Sequence, residues 1–280
     1  MSLAKNIPND LSRLLQAMAT DFPEILRGNL VGVYLWGSLT YDAFDEVCSD
    51  VDCVAVTLRD LDDREFSELD EWFKSKGEES HWVKRIDMRF VIDHEFLDKS
   101  SRCCGFYHYT GTLVRHGSDG NPIIWMNVAQ SGVTLWGKNA KLVAPHVSGR
   151  CLNDALLLEV NYLKEDLISN SGNRSKNAFV HNAYAVLTAC RILYSAYHGT
   201  LVSKDRAYGW AMEAVPTLWR SVIHAARENR LKNSGSTTSE LENDAMRFVS
   251  FVASEVTRIL EQSSWEFPHL KTADDPVAED

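Results

Sequence analysis

Several features that mark other protein classes are missing from this 280-residue chain. No stretch is long and apolar enough to cross a membrane, so we expect no membrane partner. The opening segment, MSLAKNIPNDLSRLL, lacks the apolar core of a secretion signal. None of the six cysteines belongs to a CxxC pair, which argues against a disulfide framework and against a zinc site. These absences predict a cytoplasmic protein with reduced thiols.

An excess of positive charge is missing as well. The formal net charge is −10, whereas proteins that bind nucleic acids in general are usually basic. We therefore expect no nucleic-acid partner, and an acidic surface would suit a cationic small molecule. No Walker motif and no GxSxG occurs, so neither a P-loop nor a serine-hydrolase elbow is expected.

The first half of the chain alternates between strand-like and helix-like segments. LVGVYLWG, VDCVAVTL and WVKRIDMRFVID are predicted strands, and a short strand, VTLWG, follows the short helix IIWMNVAQSG. The amphipathic segment DDREFSELDEWFKSKG predicts a helix closed by Gly77, and the opening helix is expected to be interrupted near Pro23. This mixture predicts a small mixed sheet with helices packed against it.

The second half is almost wholly helical in pattern. Five segments between Cys151 and Ser263 carry apolar residues at helical spacing, which predicts a bundle of about five helices. We therefore predict an α+β fold with two domains, at residues 1–148 and 149–270, followed by an acidic tail at 271–280.

Two carboxylates stand one residue apart at the mouth of the second predicted strand, in the sequence SDVD. Residues i and i+2 of a strand project to the same side, so Asp50 and Asp52 can converge on one cation. Anions this close repel each other, and a pair of oxygen ligands suits Mg²⁺, which also binds substrate phosphates. The sequence therefore predicts a Mg²⁺ site at this strand end.

Two further elements complete a site for a nucleoside triphosphate. Gly37 and Ser38 follow the first predicted strand, and a helix beginning there would offer backbone N–H groups and the Ser38 hydroxyl to a phosphate. Asp87 shares a face of the third strand with Arg89, away from the apolar face, so it can join the metal site or accept a proton from an attacking hydroxyl. Each element alone is more often structural, but their combination is far more specific.

This combination resembles the nucleotidyltransferase superfamily with the DNA polymerase β-like core, over about residues 30–93. The resemblance implies an N-terminal nucleotidyltransferase domain that transfers a nucleoside monophosphate from a nucleoside triphosphate to an acceptor. It also implies Mg²⁺, two ions in our expectation, bound by Asp50, Asp52 and Asp87, with Asp87 as the catalytic base.

The segment RILYSAYHGTLVSKDRAYGWAMEAVP is similar to the helical domain of the aminoglycoside 3″-adenylyltransferases, the spectinomycin and streptomycin resistance enzymes. The resemblance implies that Arg191 and Lys204 bind the ATP phosphates from the second domain, and that Ser38 and Ser49 contact the triphosphate. Taken alone, Lys204 would be a solvated residue behind a Ser203 helix cap.

This chain departs from the family pattern in its residues for the acceptor. Asp87 stands where the family has Glu, and Phe251 stands where a Tyr is expected. The stretch before Arg191 carries Arg174, Lys176 and His181 where acids are expected, although Glu159 or Asp166 on the preceding helix can supply acids instead. We assigned His181 and Tyr184 to the acceptor side.

The most specific hypothesis is an ATP-dependent and Mg²⁺-dependent adenylyltransferase that acts on a hydroxyl of a small molecule, an aminoglycoside or aminocyclitol antibiotic. One alternative keeps the chemistry and uses a protein or RNA end as acceptor. Another is a nucleotide-binding or antitoxin-like module without turnover. The sequence leaves the oligomeric state and the identity of the acceptor open.

Overall fold

A computed structural model of the chain describes residues 7–93, 103–108, 111–115, 121–169, 176–232 and 239–262. The first half of the chain contains four helices and six strands within these ranges: α1 (Asn9–Leu26), β1 (Leu30–Leu35), β2 (Val51–Thr57), α2 (Asp63–Glu79), β3 (Ile86–Ile92), β4 (Cys103–His108), β5 (Thr112–Arg115), α3 (Pro122–Ser131), β6 (Val133–Gly137) and α4 (Ala140–Val143). The second half contains only helices in the described ranges: α5 (Gly149–Ser169), α6 (Lys176–His198), α7 (Lys204–Ala214), α8 (Arg220–Lys232) and α9 (Ser239–Gln262).

The six strands form one mixed sheet in the order β5-β4-β3-β2-β1-β6. Strands β2 and β3 are parallel, and every other neighbouring pair is antiparallel. In the parallel pair, Asp52 lies opposite Asp87. The register therefore brings together two carboxylates that lie 35 positions apart in the chain.

The two faces of β3 divide as its alternating pattern predicts. Ile86, Met88 and Phe90 pack in the core beneath α1 and α2, whereas Val91 belongs to the core on the opposite face, beneath α3. Asp87 and Arg89 project from that second face, next to the core rather than inside it. A small sheet with helices against it is thus confirmed, and so is the α+β class.

The helical half has a separate core built around α6. Buried side chains of α6, among them Ala189 and Cys190, pack in one cluster with apolar residues of α5, α7, α8 and α9. The predicted bundle of five helices is confirmed. Among the described residues, no helix is long and apolar enough to span a membrane.

Three local predictions were wrong. Helix α1 continues through Pro23 to Leu26, because Pro23 sits in its last turn, where Phe22 and Leu26 are buried on either side of it. Helix α2 continues past Gly77 to Glu79 and ends at Ser80, which caps a 3₁₀ turn over His81–Arg85. That turn replaces the start of the predicted third strand. The sequence did not reveal the short strands β4 and β5.

A buried carboxylate anchors the start of α2. Glu65 is 1% exposed and accepts hydrogen bonds from Asn29 Nδ2 (3.1 Å), Arg59 Nη1 (3.0 Å) and the Asp62 backbone N–H (2.9 Å). The Asp62 side chain accepts in return from the Glu65 N–H (2.8 Å), which forms a capping box.

Glu65→Ala is expected to lower the free energy of unfolding by about 2–4 kcal/mol, because it leaves buried donors without their acceptor. Glu68→Ala, on the same helix, is the matched control. Glu68 forms a half-exposed ion pair with Arg64, so its loss should cost about 0–1 kcal/mol. Urea unfolding of both variants measures the difference, and equal costs would contradict the structural role of Glu65.

Candidate active site

A cleft lies between the sheet and the helical bundle, at the ends where β2 and β3 begin. Its walls come from the segment that follows β1, from β2 and β3, and from α3, α5, α6, α7 and α8. The cleft is lined by every residue that the sequence assigned to the metal or to ATP: Gly37, Ser38, Ser49, Asp50, Asp52, Asp87, Arg191 and Lys204. It is also lined by residues without such an assignment, among them Tyr41, Cys48, Arg89, Glu159, Tyr184 and Arg230.

Asp52 is the central carboxylate of the cleft. Burial, together with the charges of Asp87 and Asp50, raises its pKa to about 7, although Lys204 and Arg191 oppose the shift. The three carboxylates therefore interact strongly, as the sequence predicted. Negative charge at this site therefore destabilises the folded protein, and a bound cation would reduce that destabilisation.

The donor set fits Mg²⁺ better than a transition metal, because the converging side chains offer only oxygen atoms. Within the described ranges, no three His, Cys, Asp or Glu side chains are arranged to hold a metal ion by themselves. Protein sites for Mg²⁺ often supply one or two carboxylates and leave the other positions to water and substrate phosphates. The arrangement thus suits a metal that arrives with a nucleotide.

The turn after β1 is held against Asp52. Residues Gly37–Thr40 form a 3₁₀ turn, the Gly37 N–H donates to Asn127 Oδ1 (3.3 Å), and the Trp36 N–H donates to the Asp52 carbonyl (3.1 Å). The Ser38 hydroxyl is buried in the cleft and has no hydrogen-bond partner in the described part of the chain. Ser38 is thus available for a phosphate, while the Gly37 N–H is already used.

Gly37 is required at this turn for two reasons. Its φ is +72°, and a Cβ there would lie 2.0 Å from Asp52 Oδ2. Gly37→Ala is therefore expected to displace the Asp52 carboxylate and to weaken Mg²⁺-dependent ATP binding at least tenfold, with a stability loss of about 1–2 kcal/mol.

Gly28→Ala is the matched control, because a Cβ at Gly28 meets no atom within 4 Å. Isothermal titration calorimetry with a non-hydrolysable ATP analogue compares the two variants. Unchanged affinity in Gly37→Ala would show that the turn does not position Asp52.

Ser49 is buried at 3% exposure, and its polar groups already have partners inside the loop. Its Oγ accepts from the Asp45 N–H (2.9 Å), and its carbonyl accepts from the Arg85 guanidinium. Ser49 borders the cleft but holds the loop that carries Asp50. Its contact with the triphosphate stays a prediction.

Arg191 and Lys204 reach the cleft from α6 and from the first residue of α7. Burial, together with the nearby Arg230 and Arg191, lowers the pKa of Lys204 to about 7, against the attraction of Asp52 and Asp50. The Lys204 ammonium lies 4.3 Å from the centre of the Tyr184 ring. Ser203 does cap α7, since its Oγ accepts from the Arg206 N–H (3.2 Å). The cap therefore places Lys204 in the cleft rather than in solvent.

Arg230 is a third cation of the cleft that the sequence did not reveal. It lies on α8, and its Nε donates to Cys48 Sγ (3.4 Å) in the loop before Asp50. The sequence does not single out Arg230, because α8 carries several basic residues at similar spacing. Which of them reaches the cleft depends on how the bundle packs against the sheet. Three basic residues of the helical half, Arg191, Lys204 and Arg230, thus line the cleft.

Of the two residues predicted on the acceptor side, one lines the cleft and the other does not. Tyr184 lines the cleft, but His181, one turn earlier on α6, is not among its lining residues and contacts Asp166 of α5. Arg174 and the side chain of Lys176 lie outside the described residues. Glu159 lines the cleft beside Tyr184, where Arg191 and Arg89 act on its charge. An acid of α5 thus lines the cleft, and its role in binding the acceptor stays a prediction.

Phe251 lies away from the cleft and packs in the helical core. Its ring contacts those of Trp219 (5.3 Å between centroids) and Phe248 (6.3 Å). Because the exchange of Tyr for Phe concerns a ring outside the cleft, it does not bear directly on the acceptor site.

The sequence missed two more lining residues of the cleft, Tyr41 and Arg89, and Asn127, which supports its wall. Asn127 on α3 is buried and holds the turn at Gly37, while Tyr41 follows that turn and faces Arg191. Arg89 Nη2 lies 3.7 Å from Asp87 Oδ2. Arg89 could have been predicted from the sequence, because strand alternation places it on the same face as Asp87.

Comparisons with known proteins give a consistent picture of what this chain is similar to. Residues 143–255 match the model of the family described as aminoglycoside adenylyltransferase, C-terminal domain. The chain is similar to the aminoglycoside and spectinomycin adenylyltransferases. A spectinomycin 9-adenylyltransferase of Campylobacter jejuni is 21% identical over 248 residues, which cover 84% of this chain and 92% of that protein.

A shorter match is closer in sequence. An aminoglycoside (3'') (9) adenylyltransferase of Escherichia coli is 36% identical over 75 residues, and the match spans 27% of this chain and only 28% of that relative's length. The crystal structure of spectinomycin adenyltransferase AAD(9) from Enterococcus faecialis, with ATP and spectinomycin, superposes with a TM-score of 0.68. It covers 90% of this chain and 100% of that chain at 17% identity, which establishes a shared fold.

Proposed function

We propose that this protein is a Mg²⁺-dependent adenylyltransferase that transfers AMP from ATP to a hydroxyl of an aminocyclitol antibiotic such as spectinomycin. One observation carries the proposal. Three carboxylates of the sheet face cations of the helical half across a single cleft, which is the charge arrangement that a metal-bound triphosphate requires. The similarity to spectinomycin adenylyltransferases supports the choice of acceptor.

The helical half would supply the charge that binds the triphosphate. Lys204 and Arg191 stand opposite Asp52, and the Ser38 hydroxyl is free of hydrogen bonds within the described residues. ATP would satisfy all three groups, because its phosphate oxygens accept hydrogen bonds and neutralise clustered cations. We also propose that the chain divides at 148/149, so that ATP binds between two domains.

Asp50 and Asp52 would hold Mg²⁺, which when bound neutralises triphosphate charge and polarises the reacting phosphate. Asp87 would accept the proton of the acceptor hydroxyl as its oxygen forms a bond to the α-phosphorus and the bond to pyrophosphate breaks. The remaining contribution of the chain is positioning, since both substrates must meet in line in the cleft. The location we propose is the cytoplasm, where ATP and Mg²⁺ are available.

Pyrophosphate release from ATP, with and without Mg²⁺, tests this function across a panel of aminoglycosides and spectinomycin. We expect release with spectinomycin, and at least tenfold weaker activity on streptomycin. Streptomycin carries more positive charge, and Arg89 and Arg191 border the cleft where it would bind. A protein that binds ATP and Mg²⁺ but releases no pyrophosphate with any acceptor would contradict the transferase.

Susceptibility of a drug-sensitive bacterial strain that expresses the protein provides the cellular measurement. Spectinomycin resistance that is lost in Asp87→Asn would support the proposal. High-level streptomycin resistance would show that the positive charge of the cleft does not restrict the acceptor.

A further inference from the structure

The cleft holds the residues proposed for the triphosphate and, with them, charged residues that have no such role. Ser38 lies in the turn after β1, and Arg230 contacts the loop before Asp50, so both lie where the triphosphate would bind. Arg89 lies two residues beyond Asp87 on the same face of β3, roughly 7 Å further along the strand, and it lines the cleft together with Glu159. Tyr184 lines the cleft as well, and its ring lies 4.3 Å from the Lys204 ammonium. Arg89 and Glu159 are therefore charged lining residues to which the proposed function assigns no catalytic or ATP-binding role.

Glu159 is distinctive among the carboxylates of the cleft. Of the described lining residues, three acids belong to the proposed metal site, and Asp205 pairs with Arg227 (3.2 Å) and is 64% exposed. Glu159 is therefore the acid that the helical half directs into the cleft. It sits on α5, whereas the basic residues of the helical half that are named for ATP lie on α6, α7 and α8.

The surroundings of Glu159 make it a ligand rather than part of the core. Burial raises its pKa, and Arg191 and Arg89 counteract this shift, so that the carboxylate keeps opposite charge close by. A half-buried carboxylate costs free energy unless it is paired, and a surface helix position has no packing need for one. Its neighbour Tyr184 adds a flat ring and a hydroxyl to the same wall.

We propose that Glu159 is the specificity-determining residue of this cleft, which binds an ammonium or hydroxyl group of the acceptor. Arg89 at the same wall excludes acceptors rich in positive charge, so the acceptor is a polyhydroxylated ring with isolated amines. This inference rests on the proposed function and adds a residue that the sequence motifs do not include.

The test compares Glu159→Gln with Glu165→Gln, an exposed position on the same helix. Calorimetry measures binding of a non-hydrolysable ATP analogue with Mg²⁺, and then of spectinomycin to the loaded protein, alongside steady-state kinetics. We expect Glu159→Gln to weaken spectinomycin binding and raise its KM roughly ten- to hundredfold, with ATP-analogue affinity within twofold of wild type. Glu165→Gln should match wild type in every measurement.

Two results would overturn the inference. Unchanged spectinomycin binding in Glu159→Gln would show that the acceptor does not contact this residue. A loss of ATP-analogue affinity as large as the loss for spectinomycin would show that Glu159 only holds Arg191 in place. Wild-type protein that binds spectinomycin without turnover would contradict the transferase, and a loss of that binding in Glu159→Gln would still support the assignment of Glu159.

Discussion

Asp52→Asn is expected to lower turnover by roughly a thousandfold or more and to abolish Mg²⁺-dependent ATP binding. The amide keeps the shape of the side chain but removes the charge that a divalent cation requires. Asp50→Asn should have the same consequence, because both side chains project to one side of the strand end. Pyrophosphate release and calorimetry with and without Mg²⁺ measure the two losses.

The same variant should fold at least as stably as wild type when no metal is present. The pKa of Asp52 is raised from 3.8 to about 7 by burial, Asp87 and Asp50, so its ionised form is less favourable in the folded protein than in the unfolded chain. The free energy of unfolding therefore falls as the pH rises from about 4 to 7, and a neutral amide removes that loss. An unchanged or higher melting temperature in Asp52→Asn is the expected result.

Glu46→Gln is the control for a general charge effect, since Glu46 is exposed in the same loop. It should retain turnover and metal-dependent binding. Near-wild-type activity in Asp52→Asn, or an equal loss in Glu46→Gln, would remove the metal site from these carboxylates.

The carboxylate site was predictable because it depends on strand geometry. Asp50 and Asp52 lie at i and i+2 of one strand, and the alternation in KRIDMRFVI put Asp87 on the face away from the apolar residues. The parallel register of β2 and β3 then places Asp52 beside Asp87. Local periodicity and the pairing of β2 with β3 were sufficient to predict that these carboxylates lie close together.

The residues that the helices bring to the cleft and to its wall could not be predicted in the same way. Arg230 and Asn127 were not identified, and Glu159 was named only as one of two possible acids. The three residues come from three different helices, and each is one polar residue among many on an amphipathic pattern. The packing of the bundle on the sheet determines which polar residues lie at the cleft. Local sequence spacing does not contain that information. His181 illustrates the limit, since its motif position pointed to the acceptor, whereas its side chain contacts Asp166.

Helix ends were predicted poorly for a related reason. Pro23 and Gly77 are unfavourable inside helices, by about 3 and 1 kcal/mol in exposed positions. Burial of Phe22 and Leu26 in α1, and the cap at Ser80 after α2, outweigh those preferences. Tertiary packing thus moved both boundaries.

Lys204→Ala is expected to weaken ATP binding by roughly ten- to hundredfold, because a hydrogen bond to a charged group contributes about 1.5–3 kcal/mol. The loss should be largest for ATP and small for AMP, since AMP lacks the two outer phosphates. Arg191→Ala should show the same order of ligands. Calorimetry with ATP and AMP at fixed Mg²⁺ measures it, and Lys164→Ala, an exposed position on α5, is the control.

Stability distinguishes this role from a structural one. Lys204 places a cation at the first residue of a helix, where the backbone dipole disfavours it. Burial and two arginines lower its pKa from 10.5 to about 7, so the ammonium is less favourable in the folded protein and stability should rise as the pH increases from about 7 to 10.5. Lys204→Ala should therefore keep or raise the melting temperature while it loses ATP. If Lys204 destabilises the protein in the absence of ATP but increases its affinity for ATP, its position serves binding of the triphosphate. Equal ATP affinity in Lys204→Ala and wild type would contradict that assignment, and a lower melting temperature would show that Lys204 instead stabilises the junction with Asp52.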